Sequence, residues 1–105
     1  MAKNLALSAL RLNSRFVHIS SDQLFDGSKP WVNENEIPCP LNNYGITKAE
    51  AEKLVMRTCP DAIIVRTNFY GWGIPRRESF SDWIIKRLIS HNEINMFHDV
   101  YFNPI

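Results

Sequence analysis

The sequence predicts an α/β fold in which a short parallel sheet is flanked by helices. Residues 16–19 and 62–65 are apolar runs rich in β-branched and aromatic side chains, as expected for strands buried on both faces. Residues 42–58 between them are rich in Ala, Glu, Lys and Leu, which have good helix propensity. A strand, a helix and a strand in this order form a βαβ crossover with two parallel strands.

The length and charge of the chain narrow its class. With 105 residues it is long enough for one small domain with a single core. Its 12 Lys and Arg are balanced by 11 Asp and Glu without a basic stripe, so nucleic acid is not an expected partner. No apolar run reaches membrane-spanning length and the N terminus lacks the apolar run of a signal peptide, so we expect a cytoplasmic protein without membrane contact.

The cysteines and histidines offer little chemistry. Cys39 and Cys59 do not form a C-x-x-C pair, and in a chain without a secretion signal we expect free thiols. His18, His91 and His98 lack the spacing of metal ligands, so no metal site is predicted.

The first element is predicted to be a helix that ends near residues 13–14. Its apolar positions would bury much of the helix circumference: Leu5, Leu7, Ala9, Leu10 and Leu12. The strand at residues 16–19 follows, and a long loop then runs from Asp22 to Pro40, where Gly27 and two further prolines exclude helix and central strand. Loops of this length are usually binding loops or lids, which is the first indication of function.

Two elements are predicted after the second strand. A helix starts around Ser79, with Phe80 and Trp83 on its apolar face. A last short strand is predicted from Ile94 to Phe97.

The carboxyl ends of parallel strands meet at one edge of a sheet, where ligands bind in open α/β folds. The first strand brings Ser21 and Asp22 to this edge, and the crossover helix begins beside them with Tyr44. Tyr44 and Lys48 are four residues apart and share a helix face. A nearby cation favours phenolate, so such a phenol can protonate a substrate carbonyl oxygen while a serine hydroxyl hydrogen-bonds it. The alternative is a surface tyrosine beside a solvated lysine.

Three segments together resemble the extended short-chain dehydrogenases, most closely the dTDP-4-dehydrorhamnose reductase-like branch: residues 17–27 (VHISSDQLFDG), 40–48 (PLNNYGITK) and 64–71 (IVRTNFYG). The resemblance runs from about Asn4 to the end of the chain. It implies a partial Rossmann-like sheet, the C-terminal half of a nucleotide-binding core, and reduction of a 4-keto nucleotide sugar with NADP or NAD.

The resemblance also implies roles for individual residues. Ser21, Tyr44 and Lys48 stand at the catalytic positions, and Tyr44 and Lys48 at positions that bind the cofactor, where the lysine holds the nicotinamide ribose. Ser21, Asp22 and Phe69 stand at substrate-binding positions. Phe69 falls where the rhamnose branch usually has Trp, which leaves the sugar open.

The loop and the glycines complete this interpretation. Asp26, Gly27 and Glu34 match a loop pattern that shapes the mouth of the site, with a turn and a solvated carboxylate as the alternative. The glycine-rich phosphate turn of dinucleotide-binding folds is not found in the sequence. We therefore expect residues 1–105 to form a single partial NAD(P)-binding Rossmann-like domain that lacks the N-terminal phosphate-binding half and most of the substrate-binding part.

Such a domain is expected to be marginally stable, to be inactive alone, and to form a homo-oligomer or to require a complementing chain. Two alternatives stay open. The chain is a non-catalytic sugar-nucleotide-binding or regulatory module resembling the regulatory subunit of methionine adenosyltransferase, or a truncated remnant without activity.

Overall fold

The computed structural model describes residues 1–98, and the chain divides into two compact units at residues 67 and 68. The predicted α/β fold class is confirmed. The helices and strands of the described residues are α1 (Ala2–Arg11), β1 (Val17–Ile19), α2 (Asn43–Thr58), β2 (Ile63–Val65) and α3 (Phe80–Ile89). The first four belong to the first unit and α3 to the second.

The sheet of the first unit consists of β1 and β2, which pair in parallel with Val17 opposite Ile63 and Ile19 opposite Val65. The pairing continues past the end of β1, because the Ser20 amide donates to the Val65 carbonyl oxygen at 2.8 Å. Helix α2 connects the two strands, as the predicted βαβ crossover requires.

Helix α2 begins where the sequence predicts it, because Asn42 caps it. The Asn42 side-chain oxygen accepts from the Gly45 amide at 2.7 Å, which satisfies one of the unpaired amides of the first turn. The Asn42 side-chain amide also donates to Gln23 Oε1 at 3.0 Å. Gln23 belongs to a 3-10 turn, Asp22–Leu24, that directly follows β1. The Asn42–Gln23 hydrogen bond therefore holds the start of α2 against the 3-10 turn that follows β1.

The core of the first unit lies where α1 packs on α2. It is formed by small and medium side chains: Ala6, Val55 and Cys59, with Ala2, Phe16 and Ala62 packed against them. Val55 and Ala6 are fully buried, so the contact between the helices is close.

The predicted burial of α1 is wrong. Ala6 is its one buried residue, whereas Leu5, Leu10 and Leu12 are 53%, 49% and 75% exposed. The helix also ends at Arg11 rather than near residues 13–14, because Asn13 adopts a left-handed conformation with φ 49°. Only the stripe that faces α2 finds a packing partner, so the leucine content overstated the buried surface.

The strands are likewise not buried on both faces. Phe16 packs against the helical core and stacks on His18, so this side of β1 faces the helices. Val17, Ile19 and Ile63 alternate onto the opposite face, where they are 48%, 41% and 47% exposed. One face of the sheet is thus covered, and the other presents apolar side chains to solvent.

Helix α3 of the second unit begins at a capping box, close to the predicted start at Ser79. Ser79 Oγ accepts from the Asp82 amide at 3.1 Å, and Asp82 Oδ2 accepts from the Ser79 amide at 2.9 Å. Asp82 Oδ2 also accepts from the Gly73 amide at 2.7 Å. The apolar face of the helix carries Phe80 stacked on Trp83, with ring centroids 5.9 Å apart.

The predicted strand from Ile94 to Phe97 is wrong. These residues form no regular element, and Met96 and Phe97 are 54% and 84% exposed. A strand is stable only when its backbone pairs with a neighbour. In the described part of the chain, β1 and β2 pair with each other and no third strand joins them.

Candidate functional site

The predicted site lies at the carboxyl end of β1. Ser21 is 5% exposed and caps the 3-10 turn, since its Oγ accepts from the Gln23 amide at 3.2 Å. The same hydroxyl donates to Asp22 Oδ1 at 3.2 Å. Ser20 beside it is 3% exposed, and among residues 1–98 its Oγ has no hydrogen-bond partner. The strand therefore ends in two buried hydroxyl groups.

Tyr44 and Lys48 are brought together as their spacing predicts. The Lys48 ammonium lies 5.7 Å from the centre of the Tyr44 ring, within the range of a cation–π contact. It also donates to the Ile19 carbonyl oxygen at 3.0 Å. Lys48 thereby ties the helix to the last residue of β1, two positions before Ser21. The Tyr44 side chain is half exposed and accessible to a ligand.

Gly45 explains how the tyrosine comes so near the strand end. A Cβ atom at this position would overlap the Gln23 carbonyl oxygen and crowd the Cβ of Pro40. Only glycine permits this approach of the first turn of α2 to the 3-10 turn. Tyr44 and Ser21 are therefore carried by two segments in direct backbone contact.

An ion pair that was not predicted from the sequence lies on the same face of α2 as Lys48. The Glu52 side chain is only 7% exposed. Arg66 Nη2 donates to one of its carboxylate oxygens at 2.9 Å, and Arg66 Nε donates to both oxygens at 3.2 Å. Arg66 Nη1 donates to the Glu34 carbonyl oxygen at 3.3 Å, and its guanidinium lies 5.5 Å from the centre of the Phe25 ring. The signal was present: Glu52 stands four residues after Lys48 on the same helix face, and Arg66 directly follows β2.

The loop residues have different roles from one another. Asp26 accepts from the amide and the hydroxyl of Ser28, and these hydrogen bonds lower the pKa of the Asp26 carboxyl group. Asp26 and Gly27, which has φ 78°, thus form a turn. Glu34 is exposed and contributes its backbone carbonyl to the contact with Arg66.

Phe69 belongs to the second unit. It is 77% exposed and, with Tyr70, Trp72 and Phe80, lines a hollow of about 250 Å³. Aromatic side chains of this kind can stack on a flat or sugar ring.

In residues 1–98, no cluster of three or more His, Cys, Asp or Glu side chains is arranged to hold a metal ion. No helix in this range has the length and apolar character needed to cross a membrane. Cys39 is exposed, Cys59 is buried, and both are free thiols.

His18 in β1 gives the stability of the first unit a pH dependence. Burial, and then the positive charge of Lys48, hold the pKa of His18 below its usual value of 6.5, while Glu52 opposes them. The unfolded chain therefore binds a proton at a pH where the folded chain does not, and stability is lost as the pH falls below 6.5. Urea unfolding measures the free energy of unfolding at about pH 7.5 and at about pH 5.5. This free energy should fall more between the two pH values in the native chain than in His18→Gln. Equal losses in both would contradict the prediction.

Comparison with known proteins identifies the family of the chain. The family model of the RmlD substrate binding domain matches residues 1–105. The structure of a dTDP-4-dehydrorhamnose reductase from Clostridium acetobutylicum superposes with a TM-score of 0.80 and 36% identity, covering 93% of this chain and 34% of that one. The structure of the Bacillus anthracis dTDP-4-dehydrorhamnose reductase in complex with NADP matches with a TM-score of 0.74 and 32% identity, covering 88% and 32%.

A curated relative carries a different name. Methionine adenosyltransferase 2 subunit beta of Bos taurus is 37% identical over 97 residues, which are 90% of this chain and 29% of that protein. The chain thus spans about a third or less of the proteins it matches. The match to the family model over its whole length and the shared Rossmann-like fold show that the chain belongs to the RmlD substrate binding domain family.

Proposed function

We propose that this chain carries the proton-relay residues of an NAD(P)-dependent reductase of 4-keto nucleotide sugars, of the extended short-chain dehydrogenase type. The observation that supports this most strongly is the position of the Lys48 ammonium, 5.7 Å from the Tyr44 ring and 3.0 Å from the Ile19 carbonyl oxygen. A lysine fixed between a half-exposed tyrosine and the end of the strand that carries Ser21 is suited to proton transfer.

In the proposed reaction, the Tyr44 hydroxyl gives its proton to the ketone oxygen of the sugar. Lys48 stabilises the phenolate that remains, because opposite charges attract strongly at short range. The Ser21 hydroxyl turns from Asp22 to donate to the same oxygen, and Asp22 is proposed to contact the sugar. Phe69 is proposed to contact the sugar. NADP or NAD, when bound, supplies the hydride.

Two of the described residues are suited to bind one part of the cofactor. Tyr44 and Lys48 would hold the nicotinamide ribose, since both have polar groups at the sheet edge where such ligands bind. The glycines at 27, 45, 71 and 73 form no glycine-rich turn that opens a helix, so residues 1–98 offer no pyrophosphate site of that kind. We propose that a complementing chain supplies it, since a second copy has the same sequence. A homo-oligomer and a cytoplasmic location are separate proposals.

The second candidate is a non-catalytic module that binds a sugar nucleotide or regulates a partner enzyme. The 37% identity to the bovine methionine adenosyltransferase 2 subunit beta supports it. The presence of Ser21, Tyr44 and Lys48 favours the reductase, because a scaffold does not require a proton relay.

Calorimetric titration of the purified chain with a dTDP-sugar and with NADPH tests the proposal, with circular dichroism as the check on folding. We expect binding of the dTDP-sugar and weak or no binding of NADPH, because the pyrophosphate site is not found in the described residues. A folded chain that binds neither ligand would contradict the reductase proposal. Recovery of a synthetase-like partner by such a chain would then support the regulatory module.

A further inference from the structure

Arg66 is the residue through which three parts of the first unit meet. Its backbone directly follows β2, its Nε and Nη2 groups bind the Glu52 carboxylate on α2, and its Nη1 group reaches the carbonyl oxygen of Glu34 in the long loop. A guanidinium group presents five donors in a planar fork, so one arginine can serve two acceptors in different directions.

The loop contact is made at two points. The Glu34 carbonyl oxygen accepts from Nη1 at 3.3 Å near the middle of the loop. The Phe25 ring, with its centre 5.5 Å from the guanidinium carbon, lies at the start of the loop. Arg66 therefore contacts both the start and the middle of the loop. Other hydrogen bonds of the loop, such as those from Ser28 to Asp26, join residues within the loop itself.

The acceptor of this arginine lies on the catalytic face of α2. Glu52 follows Tyr44 and Lys48 at intervals of four residues, so all three project from one side of the helix. Lys48 connects this face to the end of β1 by a hydrogen bond, and Glu52 connects it to Arg66, after the end of β2, by an ion pair. One guanidinium group therefore links the loop to the helix face that carries the Tyr44–Lys48 pair.

We propose that Arg66 is a positioning residue that holds the loop of residues 25–42 against the catalytic face of α2 and so shapes the entrance to the sugar-nucleotide site. The role for the ligand rests on the proposed function, whereas the role in holding the loop does not. Arg66 acts through the Glu34 backbone and the Phe25 ring, and it need not contact the substrate.

Hydrogen–deuterium exchange of the purified full chain tests the hold on the loop. In Arg66→Lys the charge opposite Glu52 is kept, but the second donor direction and the guanidinium group over the Phe25 ring are lost. We expect the amides of Asn35 and Glu36, which flank the contact, to exchange at least about tenfold faster, while the amides of α2 change less than about threefold.

Lys29→Gln is the matched control. It removes the exposed Lys29–Glu36 ion pair of 3.3 Å within the same loop, and exchange in the loop should stay within about threefold of the native rate. Faster exchange throughout α2 with an unchanged loop would overturn the proposal, since Arg66 would then serve only as the partner of a buried carboxylate. If Arg66→Lys does not fold, Phe25→Leu removes the cation–π contact alone and should also accelerate exchange in the loop.

Calorimetry with dTDP-glucose tests the role in the site. The dissociation constant should rise at least about fivefold in Arg66→Lys and stay unchanged in Lys29→Gln. A looser loop with unchanged affinity would overturn the role in ligand binding. If the native chain binds no dTDP-glucose, the proposed function fails, and the exchange experiment still decides whether Arg66 holds the loop.

Discussion

Replacing Tyr44 with phenylalanine is expected to lower ketosugar reduction by roughly 10²- to 10⁴-fold, the usual contribution of a positioned general acid. The variant keeps the ring beside Lys48 and removes only the hydroxyl that donates the proton. The measurement is best made in a chimera in which residues 1–98 replace the matched segment of the Clostridium acetobutylicum reductase, of which this chain covers 34%. NADPH oxidation with the 4-keto sugar nucleotide gives kcat and KM separately.

Thr47→Ala is the matched control for this experiment. It removes a hydroxyl from the same turn of α2, one that donates to the Tyr44 carbonyl oxygen at 2.8 Å. Its rate should stay within about threefold of the unmodified chimera. A Tyr44→Phe chimera with a nearly native kcat would remove Tyr44 from the proton relay, and an unmodified chimera without activity would count against the catalytic proposal itself.

Replacing Glu52 with alanine is expected to destabilise the first unit by about 3 kcal/mol, the lower end of the range for breaking a buried ion pair. The lower end applies because the Arg66 side chain is 23% exposed and water can partly solvate the charge that loses its partner. Against a total stability of about 5–15 kcal/mol for a domain, this change should move the urea midpoint clearly.

Glu50→Ala provides the comparison on the same helix. Glu50 pairs with Lys53 at 2.7 Å, but both side chains are more than half exposed, so we expect a much smaller shift of the urea midpoint. Equal destabilisation by the two variants would mean that the Glu52–Arg66 pair contributes no more than a surface contact.

Elements governed by local chemistry were predicted well. Helix α2 was predicted from residue 42 and is observed from Asn43, because the cap at Asn42 and the helix-forming composition act within a few residues of the chain. The Tyr44–Lys48 contact follows from helical spacing alone, and α3 was predicted from the amphipathic spacing that includes Phe80 and Trp83.

Features that depend on distant partners were predicted poorly. The leucines of α1 and the outward residues of β1 have the composition of buried segments, yet burial depends on what packs against them. The Glu52–Arg66 pair joins residues 14 positions apart through the fold, and its loop contact spans 32 positions. The sequence places Glu52 on the helix face of Lys48 and Arg66 directly after the second strand, but no periodicity identifies the two residues as partners.

The absence of a side chain at Gly45 gives this position a value for protein engineering. Any larger residue would push the start of α2 away from the Gln23 carbonyl oxygen. Substitutions at this position would therefore increase the distance between Tyr44 and Ser21. In the proposed reaction, alanine and serine at position 45 would thus measure how the rate depends on the separation of the Tyr44 and Ser21 hydroxyl groups.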